Sequence, residues 1–189
     1  MTPSVMTELL AYNFNIDTTD LSLRHSIMHD LAREGDLLSA EVIFEAGNAI
    51  DLPNDEGRRP LHEAAFFGQL DMVQFFIANG ADIDAPVQPF GHTALYLAVQ
   101  QSRYEVVQYL IKRGARLNVS DSLMGTGLLH TAAAKNDIKM IGILIAAGAD
   151  VFHENKRGQT ARDLAARANH HALEKTLLKL MEHHAKYVS

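Results

Sequence analysis

The chain of 189 residues contains no cysteine and no tryptophan. Without cysteine there are no disulfides, no thiolate metal sites and no cysteine nucleophile. Aromatic residues make up only 7% of a composition that is 47% hydrophobic, so any core has to be built from aliphatic side chains and alanine. Long apolar runs are missing as well. The most apolar window, residues 140 to 147, falls far short of the roughly 18 residues that span a bilayer. The N-terminus, Met1-Thr2-Pro3-Ser4-Val5-Met6-Thr7-Glu8-Leu9-Leu10, lacks both the basic segment and the apolar run of a secretory signal. A cytoplasmic protein without membrane insertion is expected; export as an effector by a route that reads no such signal stays open.

Catalytic signatures are absent too. There is no glycine-rich phosphate loop closing in Gly-Lys-Ser/Thr, no Gly-x-Gly-x-x-Gly and no Gly-x-Ser-x-Gly. His62-Glu63 begins like a zinc-protease helix, but Phe66 stands where the second histidine ligand belongs. No enzyme and no cofactor are expected. The net charge of −6 is unevenly spread: residues 1–56 hold 11 acidic and 2 basic side chains, and the remainder hold 12 acidic and 15 basic. A nucleic-acid binder would carry a basic stripe, so nucleic acid is not the expected partner. The acidic N-terminal pole is suited to orienting a charged partner over about one Debye length.

What the chain does have is a register. Gly80-Ala81-Asp82, Gly114-Ala115-Arg116 and Gly148-Ala149-Asp150 recur at a step of 34 residues. The same step relates Pro60-Leu61-His62-Glu63-Ala64-Ala65 to Ala94-Leu95-Tyr96-Leu97-Ala98-Val99 and to Leu128-Leu129-His130-Thr131-Ala132-Ala133. Steps of 33 extend it backward to Ile27-Met28-His29-Asp30-Leu31-Ala32 and forward to Gly158-Gln159-Thr160-Ala161-Arg162-Asp163. Within a unit, Leu61, Ala64 and Ala65 share one helical face, Pro60 suits a first helical turn, and Gly68 suits a left-handed helix end. A second helix puts Met72, Val73, Phe76 and Ile77 on one face and stops at Gly80. The polar stretch that follows has turn chemistry.

These motifs closely resemble the ankyrin repeat family, whose signature joins a Thr-Pro-Leu-His-x-Ala-Ala stretch to a later Gly-Ala-Asp at a period of about 33. The resemblance covers nearly all of the chain after residue 20. It implies an all-α solenoid of stacked helix-turn-helix units with projecting β-hairpin loops, in one domain over residues 20–187. The approximate units are 20–53, 54–87, 88–121, 122–154 and 155–187, the first and last being degenerate caps. Residues 1–19 form an N-terminal extension, with Val5, Leu9 and Leu10 spaced for a short capping helix. The sequence departs from the pattern where Tyr96 replaces the usual histidine, where Gly127-Leu128 replaces Thr-Pro, and where Asp163 takes the histidine slot.

The resemblance also implies a function. Ankyrin stacks bind proteins without catalysis, through a concave groove made by hairpin tips and the ends of the first helices. The matching positions give Arg58, Phe66, Phe67, Phe90, His92, Gln101, Leu123, Met124, Lys135 and Arg157 as partner-binding candidates. Five of these are large and apolar where solvent favours polar side chains, and they are expected to form a nearly contiguous strip. Packing between neighbouring first helices is the alternative for Phe66 and Phe67, and hairpin stiffening for Leu123 and Met124. A monomer binding a protein partner, as adaptor, inhibitor or effector, is the expectation. Two other readings compete. One is a metal- or pH-responsive module built on the pairs His25/His29, His170/His171 and His183/His184. The other is a self-associating scaffold.

Overall fold

Five Leu-and-Ala helices, each followed by a second amphipathic helix, account for the architecture. The computed structural model describes the backbone of residues 21–47 and 49–187 and the side chains of residues 27–47 and 49–183. The predicted capping helix over residues 3–14 lies outside the described residues. The first helices are α1 (Leu21–Glu34), α3 (Pro60–Phe67), α5 (Ala94–Gln100), α7 (Leu128–Ala134) and α9 (Ala161–Arg167). Their partners are α2 (Leu37–Glu45), α4 (Leu70–Ala78), α6 (Tyr104–Lys112), α8 (Ile138–Ala146) and α10 (His171–Tyr187). The fold is all-α, as the resemblance implies. Among the described residues no strand forms, and the hairpins are held by single antiparallel bridges such as Val87–His92 and Ser120–Gly127.

The first helices stack in one layer, each packed on the next, and the second helices form an outer layer. Alanines at 64, 65, 98, 132, 133 and 165 are fully enclosed and let the inner helices approach more closely than the outer ones do. The stack therefore curves, with its inner helices and hairpins on the concave side. Of the face predicted for α4, Met72, Val73 and Phe76 are buried and Ile77 is half-buried; the same register buries Val106, Val107 and Leu110 in α6 and Met140, Ile141 and Leu144 in α8.

Each inner helix ends at the same point of the register. Gly35, Gly68, Ser102, Asn136 and Asn169 all take positive φ, between 55° and 84°. Glycine costs least in this left-handed conformation, and asparagine tolerates it better than serine does. Gly68 is constrained from outside as well, because a Cβ there would lie 2.8 Å from Arg103 Cδ of the next unit.

The signature histidines tie each inner helix to a hairpin. Nε2 of His29, His62 and His130 lies 2.8, 2.8 and 2.7 Å from the carbonyls of Arg58, Ala85 and Gln159. Where Tyr96 replaces histidine this tie changes character, and its hydroxyl instead accepts a 3.4 Å hydrogen bond from Thr131 of the next unit. Asp163 in the last unit accepts from both the backbone N–H and the hydroxyl of Thr160, each at 2.8 Å, which closes the α9 N-terminus.

Candidate functional site: the hairpin row and the concave face

Two hairpin lengths occur along the stack, short in the second and fifth units and long in the third and fourth. In the second unit Asn54 N–H donates to the Arg58 carbonyl, and in the fifth Asn155 N–H donates to the Gln159 carbonyl; each pair encloses a short tip, Asp55-Glu56-Gly57 and Lys156-Arg157-Gly158. In the third and fourth units the corresponding pairs are Val87–His92 and Asp121–Thr126. These enclose one more residue each, in the tips Gln88-Pro89-Phe90-Gly91 and Ser122-Leu123-Met124-Gly125. The extra residue is the physical origin of the 34-residue step in the middle of a repeat whose terminal steps are 33.

The second, fourth and fifth tips are braced by a side chain that accepts their backbone N–H groups from within. Asn54 Oδ1 accepts from Glu56 and Arg58, and Asn155 Oδ1 accepts from Arg157 and Gln159. Asp121 accepts from Leu123 (3.0 Å) and Met124 (2.7 Å) through Oδ1 and from Thr126 (2.7 Å) through Oδ2. Burial alone would raise the pKa of Asp121, but these backbone donors outweigh it and hold the carboxyl below its usual range. Neighbouring tips are also joined. Ser122 N–H donates to the Phe90 carbonyl at 2.8 Å, and Lys156 N–H donates to the Met124 carbonyl at 2.9 Å.

At the residues just before the tip glycines the row reads Asp55-Glu56, Pro89-Phe90, Leu123-Met124, Lys156-Arg157. It is acidic, then apolar, then apolar, then basic. Phe90 is 41% exposed, Leu123 63% and Met124 37%. Phe90 is nevertheless backed by a stack of rings: it lies over His92 with centroids 5.7 Å apart, and His92 lies over the buried Tyr96 at 4.3 Å and 4°. Burial, reinforced by the charge of Arg58, lowers the His92 pKa, so the ring is neutral near pH 7. A cleft of about 520 Å³ between the second and third hairpins brings together Arg58, Phe90 and His92 with Asp55, Glu56 and Leu97. A second, of about 410 Å³, joins Met124 and Arg157 with Leu164 and Arg167.

The helix-end candidates are placed differently. Phe66 is half-buried and meets Phe67 edge-on at 5.1 Å. Arg58 lies over the Phe66 ring and Arg33 over the Phe67 ring, at 5.4 and 5.7 Å. Both guanidinium groups converge on Glu63, which is only 3% exposed: Arg58 Nη1 stands 3.4 Å and Arg33 Nε 3.9 Å from its carboxylate. Phe67 keeps 37% exposure. The five apolar candidates thus form two groups, a Phe66–Phe67 pair clamped by arginines and the Phe90, Leu123 and Met124 tips. Gln101 is half-buried in the cap of α5.

Lys135 belongs to a feature that the sequence did not disclose. Its Nζ donates to the Gln100 carbonyl at 2.7 Å and to Ser102 Oγ at 3.0 Å. Gln69 donates to the Arg33 carbonyl, Arg103 to the Phe66 carbonyl, and His170 Nε2 lies 3.4 Å from the Ala134 carbonyl. Every inner helix but the last is thus capped at its C-terminus by a side chain from the following unit. Glutamine, arginine, lysine and histidine share donor capacity but no letter pattern, and Lys135 sits two residues before the slot held by Arg103 in its own unit.

Among the described residues no group of three or more histidine, aspartate or glutamate side chains is placed to hold a metal ion. The side chains of His25 and His184 lie outside the described residues. No described helix is long and apolar enough to cross a membrane.

Comparison with known proteins agrees with this geometry. A family model described as ankyrin repeats in three copies matches residues 3–87 and 28–121, and a single ankyrin repeat matches residues 124–156. The chain is 35% identical over 102 residues to the nuclear factor NF-kappa-B p105 subunit of Gallus gallus, a match covering 51% of this chain and 10% of that protein. It is 35% identical over 79 residues to the putative ankyrin repeat protein FPV240 of fowlpox virus, covering 41% and 19%. With ankyrin repeat family A protein 2 of Homo sapiens it shares 37% identity over 67 residues, covering 35% and 21%. The matches thus span from about a tenth to about a fifth of these relatives' own length. With its repeats matched from residue 3 to residue 156, the chain belongs to the ankyrin repeat family.

Proposed function

We propose that the chain acts as a monomeric, non-catalytic module that holds a partner protein on its concave face, as an adaptor, inhibitor or effector does. Ankyrin repeats are in general protein–protein interaction modules. The observation that carries the reading is the exposure of Phe90, Leu123 and Met124 at hairpin tips, the last two on a hairpin whose backbone N–H groups Asp121 already satisfies. The repeat needs no large apolar residue at a tip, and water disfavours one. Because each is already partly buried, covering what remains exposed contributes roughly 0.5–2 kcal/mol per side chain, so the three act together as anchors. The ring stack beneath Phe90 lowers the ordering cost of binding, because that anchor is held before the partner arrives.

The test is affinity capture from cell extract, quantified by mass spectrometry, with the wild-type chain and with a Phe90→Ser/Met124→Ser variant. Unchanged urea midpoints establish that the variant folds. The expected result is a set of captured proteins depleted at least about tenfold by the double substitution, the equivalent of roughly 1.4 kcal/mol. Capture of the same set at the same yield by both chains overturns the reading. Light scattering at the capture concentration checks the monomer.

A further inference from the structure

The hairpin row carries charge of opposite sign at its two ends and apolar side chains between them. This order resides in the tips rather than in scattered surface residues. The acidic pair Asp55-Glu56 and the basic pair Lys156-Arg157 occupy the same two positions before a tip glycine as Phe90 and Met124 do in theirs. Direct hydrogen bonds between backbones join the third tip to the fourth and the fourth to the fifth, so the order is fixed in space as well as in sequence. The nearby opposite charges weaken this order without reversing it. Arg58 stands 3.7 Å from Glu56 and 3.4 Å from Glu63, one cation among three acids with Asp55. At the basic end Lys156 Nζ donates to the neutral Ser122 carbonyl, and Glu154 is one acid beside the two cations of the tip in sequence.

From this geometry we infer that the chain recognises an extended linear segment of its partner, read in a fixed direction. From the second unit to the fifth, the segment presents a lysine or arginine, then two apolar side chains, then an aspartate or glutamate. The inference rests on the concave-face reading and adds the partner's chemistry to it. Charge complementarity selects the two ends, since the wrong order places like charges together at both. The cleft between the second and third hairpins receives the basic side chain, whose aliphatic stem lies along Phe90 while its head meets Asp55 and Glu56 beside Arg58. Three repeat steps of about 8–10 Å each separate the charged ends, and an extended chain at about 3.3 Å per residue crosses that span in roughly 8 or 9 residues.

A random 12-residue peptide display library, selected on the immobilised chain, tests the inference. The expected consensus is basic, apolar, apolar, acidic. A variant with both ends reversed (D55K, E56K, K156E, R157E) and an unchanged urea midpoint should enrich the inverted order. It should also bind the wild-type peptides at least about tenfold more weakly by fluorescence anisotropy at low salt, a like-charge penalty of roughly 1.4 kcal/mol. Two outcomes overturn the ordered motif while leaving the concave-face reading intact. They are peptides that depend on Phe90 and Met124 but show no charge order, and peptides whose affinity is unchanged on the reversed variant. Peptides indifferent to Phe90→Ser/Met124→Ser, or no enrichment at all, overturn both.

Discussion

His62 is the residue on which the local chemistry is most constrained. Its Nδ1 accepts the Arg59 N–H at 2.9 Å and its Nε2 donates to the Ala85 carbonyl, which requires a neutral ring with its proton on Nε2. Burial is the main cause that lowers its pKa from 6.5 to about 4. A group whose folded pKa lies below its unfolded value stabilises the fold above the unfolded pKa, and that contribution is lost as pH falls from 6.5 toward about 4. The full loss is on the order of 3 kcal/mol. Burial lowers His130 in the same direction, whereas the lowered carboxyls of Asp121 and Asp163 act only below the ordinary aspartate range. Urea denaturation should therefore show wild-type stability falling between pH 7 and pH 5, and falling less in His62→Gln. Equal stability of the wild type at both values would contradict the assignment. A second residue tests the arginine clamp. Glu63 is buried where the third and fifth units carry Leu97 and Leu164. Removing one partner of a buried ion pair is destabilising, but Arg33 and Arg58 keep solvent exposure and second carboxylates in Asp30 and Glu56, so Glu63→Leu should lower stability by no more than about 2 kcal/mol. A loss above about 2 kcal/mol would mean that the arginines hold Glu63 more productively than their 3.4 and 3.9 Å separations suggest.

At the scale of elements, the helix end is where sequence and conformation conflict most visibly. Ser102 holds φ of 55° at a position that two other units fill with glycine, whereas Asn136 and Asn169 suit it better. Ser102→Gly relieves a left-handed strain and forfeits one exposed contact to Lys135, so a gain of about 0.5–1 kcal/mol in urea is expected, and Asn136→Gly should gain less. A loss at Ser102 would show that the hydroxyl matters more than the backbone. Helix placement was legible because Leu, Ala and Gly recur in one register, and the buried faces of α4, α6 and α8 follow from it. The 33- and 34-residue steps were legible too, but not their meaning, since a one-residue difference in tip length becomes visible only once the closing hydrogen bonds are located. The cross-unit caps were not legible, because Gln69, Arg103, Lys135 and His170 do the same work with four chemistries. Phe90, Leu123 and Met124 stood out as exceptions to the repeat, whereas Phe66 was harder to place. Its half-burial comes from Arg58, a contact across eight residues that no periodicity encodes.

On the scale of the whole molecule, the stack is held by contacts between neighbours, so its stability resides in the interfaces between units. Leu95 is fully enclosed in the central unit, and Leu95→Ala should cost about 2–5 kcal/mol in urea. A cost under about 1 kcal/mol would mean that the central interfaces are looser than their burial implies. The rigid stack in turn sets the spacing of the tips, and the tips present the anchors; this is the central claim. Hydrogen exchange on the chain bound to a partner recovered by affinity capture tests it most directly. Protection at the hairpin tips, residues 54–58, 87–92, 121–126 and 155–159, with the outer helices α4, α6 and α8 unchanged, is the predicted result. Protection on those outer helices with none at the hairpin tips would contradict it.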